Sequence, residues 1–213
     1  MRILLFGITG YTGTHLAREA LARGHEVLGV SRSLGDAAIP EGAVAVAGNI
    51  HDADTVAALA DGVDAIVVAV QPIDSDGNRI VDAVPALLDA AEANGARLGV
   101  VGGASSLSRE PGGPRLIDGD FPEEWKPAAQ ALIDVLVALR ETDGTVDWFF
   151  LSPPEHYGSY LPGERRGSYR VGGDELVVGA DGTSTIGGED YAIAFLDELE
   201  TPTHHATRFT VGY

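Results

Sequence analysis

The sequence predicts a doubly wound α/β fold, a parallel sheet with helices on both faces, finished by a small loop- and hairpin-rich C-terminal lid. Three observations carry this reading. Short apolar runs alternate with helix-period segments over the first two-thirds of the chain. Glycine supplies 28 of 213 residues, about twice the usual ~7%, and falls between those runs with no G-X-Y period. The first run ends in a glycine-rich turn that opens a helix.

The elements follow in order. Residues 2–6 (Arg-Ile-Leu-Leu-Phe) form a short buried strand. Leu16, Ala17, Ala20 and Leu21 share one helix face, and Gly24 stops that helix. Strand-like runs recur at 26–30, 43–47, 65–70 and 97–101, with helical segments at 54–60 and 80–94 between them. A longer helix spans 124–140, and a strand follows at 146–151. Alternation at this spacing implies right-handed crossovers, and therefore parallel strands. After Leu151 the pattern changes. Pro153-Pro154, many glycines and short alternating runs at 168–171 and 175–178 read as a small hairpin or edge strands. A last helix at 191–199 ends before Pro202, and 208–211 make a final strand. No linker divides the chain, so residues 1–213 read as a single unit in which 152–213 supply the lid, the last helix and the last strand.

Composition closes off several functions. Fourteen Lys and Arg against 32 Asp and Glu leave a net charge of −18, and the sequence pI is near 4.5. Such a surface opposes nucleic acid and anionic membranes, which need a cationic face. There is no cysteine, which excludes disulfides, thiolate metal sites and cysteine nucleophiles. The six histidines show neither H-x-x-x-H nor H-x-H spacing, and no metal site is expected. The first residues are apolar for too short a stretch to act as a secretion signal, and no run approaches the ~18 apolar residues of a membrane helix. The expectation is a cytoplasmic protein, monomer or homodimer, whose partner is a small molecule.

Residues 7–13 read Gly-Ile-Thr-Gly-Tyr-Thr-Gly, the G-x-x-G-x-x-G of a Rossmann-type nucleotide turn. Gly7 lets the chain turn, Gly10 admits a phosphate to the backbone, and Gly13 lets helix and strand pack closely. The helix N-terminus offers free N–H groups to a pyrophosphate. A dinucleotide site is therefore expected on Gly7, Thr9, Gly10, Tyr11, Thr12 and Gly13. Its further walls are expected at the carboxyl ends of later strands, at Asn49 and Ile50, at Ala69, Val70 and Gln71, and at Gly102 and Gly103. The second strand ends Ser31-Arg32-Ser33, without the carboxylate that NAD-selective sites place there for the ribose 2′-hydroxyl. Arg32 and Ser33 suit a 2′-phosphate, so NADP(H) is expected ahead of NAD(H). The other reading of Arg32 is a solvated loop cation.

Many reductases of this fold protonate a carbonyl with a Tyr-x-x-x-Lys pair. Here the single lysine, Lys126, has Pro122 four places before it, so that pair is absent and no catalytic residue is assigned. A substrate pocket is expected between residues 103–106, including Ser105, and the loop after the strand 146–151. Pro153 fixes that loop, and His156 and Tyr157 would stack on a bound substrate or donate to it. The C-terminal segment would cover the pocket. Ser105 reads equally as a turn or cap serine, and His156 with Tyr157 as loop packing. Arg165, Arg166 and Arg170 form the only dense basic cluster. That cluster, Arg166 included, either holds a phosphate of the bound substrate or pairs with nearby Glu164 and Asp174.

These residues resemble a known family. The chain is similar to the atypical short-chain dehydrogenase/reductase group of NmrA-like, NAD(P)H-binding proteins, and most of all to its NADH-flavin reductase branch; the biliverdin-IXβ/flavin reductases share the nucleotide-binding half. The matching stretches are the 7–13 turn, residues 100–107, Arg115-Leu116-Ile117-Asp118, Asp120-Phe121-Pro122, Trp125-Lys126-Pro127 and residues 147–153. Later come Pro162-Gly163-Glu164-Arg165, Tyr169-Arg170, Gly172-Gly173-Asp174, residues 190–194 and the closing Arg208-Phe209-Thr210-Val211-Gly212-Tyr213. One departure is Pro154-Glu155-His156-Tyr157, where the family often has small or aromatic residues. The resemblance implies an NAD(P)H-dependent reductase of a flavin (FMN or FAD as substrate) or a similar planar acceptor. Hydride chemistry of that kind resides in the cofactors, and the protein supplies binding and orientation. It also leaves open a non-catalytic NAD(P)-binding redox sensor.

Overall fold

The structure, a computed structural model, describes all 213 residues. Its strands are β1 (Arg2–Phe6), β2 (Glu26–Ser31), β3 (Val44–Ala47), β4 (Ala65–Val68), β5 (Arg97–Val101), β6 (Trp148–Ser152), β7 (Arg170–Gly172) and β8 (Thr207–Gly212). Its helices are α1 (Tyr11–Ala22), α2 (Ala53–Leu59), α3 (Val84–Asn94), α4 (Lys126–Arg140) and α5 (Gly188–Glu200). The strands form one sheet in the order β3-β2-β1-β4-β5-β6-β8-β7. All neighbours are parallel except β7, which runs antiparallel to β8. The chain leaves β1 outward to β2 and β3, then returns to β4 on the other side of β1. That reversal opens a crevice between the carboxyl ends of β1 and β4.

Two cores sandwich the sheet. On one face α1 and α5 bury Leu16, Ala20, Tyr191 and Phe195 against Ile3, Leu5, Phe149 and Leu151. On the other, α2, α3 and α4 bury Val56, Leu87 and Leu136 against Leu4, Ile66, Trp148 and Phe150. Strand β6 shows why: alternate residues of one strand point to opposite faces, so Trp148 and Phe150 enter one core, and Phe149 and Leu151 the other. Both faces of each central strand are covered, which is why these strands read as continuous apolar runs.

The structure departs from the sequence reading in the C-terminal third. The two runs at 168–171 and 175–178 do not pair with each other. The first contributes the edge strand β7, held on β8 through Val171 opposite Val211. The second turns away at Gly172-Gly173: the Leu176 N–H donates to the Ser108 carbonyl, and the Ser108 N–H to that of Asp174. Burial of Leu176 and Val177 decides this placement. Helix α5 also begins at Gly188, three residues earlier than Tyr191, and in its first turn the buried Asp190 carboxylate accepts the N–H groups of Arg166 and Gly167 and the Tyr213 hydroxyl.

The amino ends of the strands carry a buried ionic cluster. Arg97 of β5 donates to Glu198 of α5 at 2.8 Å and to Asp147 at 2.9 Å. The Glu198 carboxylate also receives the Thr203 and His204 N–H groups at 2.9 Å and lies 2.7 Å from the His204 ring. Burial alone would raise its pKa, but these hydrogen bonds outweigh burial and bring it down to about 2. A depressed carboxylate stabilises the fold above its unfolded pKa, and the gain is lost as pH falls toward the folded value. From 4.5 to about 2 this is roughly 3 kcal/mol. Glu198→Gln should therefore lower stability at pH 7 and flatten the stability loss between about pH 4.5 and 2, measured by chemical denaturation. An unchanged acid slope would show that Glu198 does not carry it.

Candidate functional site

The turn between β1 and α1 sets the geometry of the β1–β4 crevice. Gly7 has φ of +93°, and a Cβ there would stand 2.2 Å from the Ala69 carbonyl oxygen. A Cβ at Gly13 would stand 2.0 Å from the Gly7 carbonyl oxygen. Both glycines are demanded by packing. Gly10 differs: it is exposed and lines the crevice, and a Cβ there would stand 3.3 Å from the Gly7 carbonyl oxygen, tight but without the overlap found at Gly7 and Gly13. Helix α1 has no side-chain N-cap bond and no acidic residue in its first turn. Its first N–H groups are thus left for an anionic guest.

The crevice is a cleft of about 150 Å³. It brings together Gly7, Thr9, Gly10, Arg32, Asn49, Ile50, Ala69, Val70 and Gln71. Other candidates sit elsewhere. Tyr11 and Thr12 send their side chains toward the loop after β6: the Tyr11 hydroxyl donates to the Pro162 carbonyl at 3.3 Å, and the Thr12 hydroxyl lies 2.9 Å from that of Tyr157. Gly13 lies beneath the turn, and Gly102 is packed on the Phe150 ring. Ser33 offers its carbonyl to the Ser31 hydroxyl, 3.0 Å away. The cleft also includes Ser31, Gly48, His51 and Asp74, which sequence reasoning missed. Asp74 carries no local signal, since the loop after β4 brings it to the β2 tip. There its carboxylate stands 3.3 Å from the Arg32 guanidinium, which also donates to the Ser75 hydroxyl at 3.0 Å.

A second, larger cavity of about 1010 Å³ lies at the carboxyl ends of β5 and β6. Gly103 and the buried Ser105 form one wall, and His156, Tyr157 and Tyr160 another. Of the C-terminal segment 152–213, Glu155, His156, Tyr157 and Tyr160 line it. Residues 109–125 close it, presenting Arg109, Phe121 and Trp125, while Ile117 of that stretch packs with Ala129 and Ile133 of α4. Phe121 and Trp125 meet edge to face at 6.5 Å between centroids, and Trp125 and Tyr160, 60% and 72% exposed, stand at the rim. Irregular loops give no periodic signal, so this role was not legible locally. Pro153 is buried at the base of the loop it directs and does not reach the cavity.

The basic cluster is committed elsewhere. Arg165 pairs with Glu19 of α1 at 3.0 Å, the Arg166 guanidinium lies over the Tyr213 ring at 3.7 Å, and Arg170 donates to the Val178 and Tyr213 carbonyls. Arg166 is not a cavity residue, nor does it pair with Glu164 or Asp174. The cavity's own arginines are both engaged, Arg109 with Glu155 at 2.6 Å and Arg115 with Asp118 at 2.8 Å. Glu110 and Asp120 also line it.

Cleft and cavity share no lining residue, but neighbouring residues link their walls. Gln71 lines one and its neighbour Pro72 the other. Tyr157 lines the cavity while its hydroxyl touches Thr12 at the start of α1. Burial pushes the Tyr157 phenol well above its ordinary pKa, so it stays protonated and able to donate.

Comparison with known proteins agrees with this geometry. Residues 7–198 match the NAD(P)H-binding family. The chain is 38% identical to YwnB, an uncharacterized protein of Bacillus subtilis, over 99% of this chain and 98% of that one. A solved structure from Bacteroides thetaiotaomicron, provisionally named an epimerase, is 37% identical with a TM-score of 0.86, covering 100% of this chain and 96% of its own. Another from Streptococcus pneumoniae, provisionally named an NADH-flavin reductase, is 29% identical with a TM-score of 0.86, covering 100% and 99%. The family match begins at the first glycine of the turn and runs into α5, so it takes in both cavities, and the chain belongs to the NAD(P)H-binding family.

Proposed function

We propose that the protein is an NAD(P)H-dependent reductase that delivers a hydride to a planar acceptor. One observation carries this reading: a cleft at a bare helix N-terminus and a large cavity rimmed with aromatic side chains both open at the carboxyl edge of the same sheet. The residues present fit a dinucleotide, because Gly10 leaves room at the cleft floor that any side chain would fill. When bound, NAD(P)H supplies the hydride. The first-turn N–H groups of α1 would hold the pyrophosphate, and Asn49 and Ile50 the adenosine end. Arg32 is the cation nearest a ribose 2′-phosphate, which favours NADP(H) over NAD(H).

In the cavity the chain's task is orientation. Ser105 and Tyr157 offer hydroxyls to a ring's polar edge, and Phe121, Trp125 and Tyr160 offer faces on which it stacks. With no Tyr-x-x-x-Lys pair in the sequence, rate would come from holding donor and acceptor in register, and protons from water at the open rim. The resemblance to flavin reductases supports a flavin or quinone-like acceptor. Because both cavity arginines are already paired, a phosphate on the acceptor gains nothing, and FMN should be no better a substrate than riboflavin. This reading assigns the protein to the cytoplasm, and no helix is long and apolar enough to cross a membrane.

Steady-state NADPH oxidation with riboflavin, FMN, FAD and quinones tests the reading. Turnover is expected, with kcat/KM for riboflavin at least equal to that for FMN. Tight NADPH binding with no oxidation by any acceptor would reject catalysis in favour of a redox sensor. Gly10→Val should weaken dinucleotide binding at least about tenfold, or about 1.4 kcal/mol, by calorimetry. A Cβ at Gly10 would press on the Gly7 carbonyl oxygen at 3.3 Å, so a modest fall in melting temperature is expected, and affinity is compared on protein that still unfolds cooperatively. Retained affinity would place the dinucleotide elsewhere.

A further inference from the structure

We infer that Asp74 sets the choice between NADP(H) and NAD(H), by holding Arg32 in an ion pair and by supplying the carboxylate that the tip of β2 lacks. The inference rests on the reading that the β1–β4 cleft takes the adenosine end of a dinucleotide. Four facts support it. Asp74 and Arg32 line the same cleft. Their charged groups are 3.3 Å apart, and the guanidinium is further tied to the Ser75 hydroxyl at 3.0 Å. The two partners are unequally fixed: the Asp74 side chain is 9% exposed and that of Arg32 46%. Finally, the Asp74 carboxylate is anchored independently of Arg32, accepting the Asp76 and Asn78 N–H groups at 2.8 and 2.9 Å and the Asn78 side-chain amide at 3.0 Å.

The carboxylate is therefore the fixed part of the wall, and the arginine is the more exposed partner leaning on it. A 2′-phosphate that reaches Arg32 must compete with Asp74 for the guanidinium and sit near a second negative charge. A ribose 2′-hydroxyl meets the opposite situation: it can donate to the same carboxylate, as it does to the acidic residue of NAD-selective sites. Arg32 pulls the site toward NADP(H) and Asp74 pulls it back. The outcome is a site that takes both cofactors with affinities within about tenfold of each other.

Calorimetry with NADP⁺ and NAD⁺, and with adenosine 2′,5′-bisphosphate and 5′-AMP as probes of the cleft alone, tests this. Asp74→Asn keeps the side chain's shape and a carbonyl oxygen for the backbone N–H groups while removing the charge. It should tighten NADP⁺ and the 2′,5′-bisphosphate by roughly tenfold and should not tighten NAD⁺ or 5′-AMP. Arg32→Ala gives an independent readout in a protein with its Asp74 loop intact. Because that arginine is already shared, its removal should cost NADP⁺ less than about tenfold, whereas a free charge-assisted phosphate contact would cost about 10- to 150-fold. Equal changes for both cofactors in Asp74→Asn, or a hundredfold loss of NADP⁺ in Arg32→Ala, would overturn the inference while leaving the dinucleotide site in place. Failure of the parent protein to bind any of the four probes would instead overturn the dinucleotide reading, and the inference with it.

Discussion

The carboxyl edge of the sheet depends on one contact, Gly13 of α1 against the carbonyl of Gly7. A Cβ at position 13 would stand 2.0 Å from that oxygen, so only glycine allows α1 to start directly over the end of β1. That closeness aims the helix's free N–H groups and the positive end of its dipole into the β1–β4 crevice. The larger cavity takes its position from the same helix, because Tyr157 docks on Thr12 in the first turn of α1. Both cavities are thus consequences of how near a helix can approach a strand.

A second constraint is the scarcity of positive charge. With 14 basic residues against 32 acidic ones, carboxylates take up most of the arginines, and most arginines serve structure. Arg97 satisfies the buried Glu198, and Arg23 of the loop after α1 gathers Glu19, Asp197 and Glu200. Arg208 of β8 joins Asp174 to the Ser106 hydroxyl and so steadies the turn that carries Ser105. A buried guanidinium left without its carboxylate is costly, so these arginines are not free to meet a ligand. In the 165–170 cluster, Arg165 is taken by Glu19 in the same way, while Arg166 lies over the Tyr213 ring and Arg170 donates to backbone carbonyls, so none of the three faces the cavity.

Most of the fold was legible in the sequence. Buried parallel strands such as β4, whose four residues are all buried, appear as continuous apolar runs, and the turn declared itself through glycines at fixed spacing. The cleft was legible to the extent that strand ends are. Asn49, Ile50 and Ala69 to Gln71 follow from where β3 and β4 stop. The cavity was less so. Its cover, 109–125, is a loop held by side contacts such as Arg109 with Glu155 and Ile117 on α4, and such contacts leave no period in the sequence. The second run of the supposed hairpin failed for a related reason: alternation marks a half-buried extended segment but does not name its partner.

By itself the sequence determined what is local or countable: the order and type of the elements, the parallel topology, the chemistry of the turn after β1, the absence of a Tyr-x-x-x-Lys pair and of cysteine. Only the tertiary structure decided which charges meet. Arg32 and Asp74 lie on the loops after β2 and β4, yet stand 3.3 Å apart; Arg166 ends over Tyr213. The physical reason is that periodicity and turn propensity act between neighbours along the chain. Coulomb attraction acts between whatever the packed sheet brings within a few ångströms, and carries no address in the sequence.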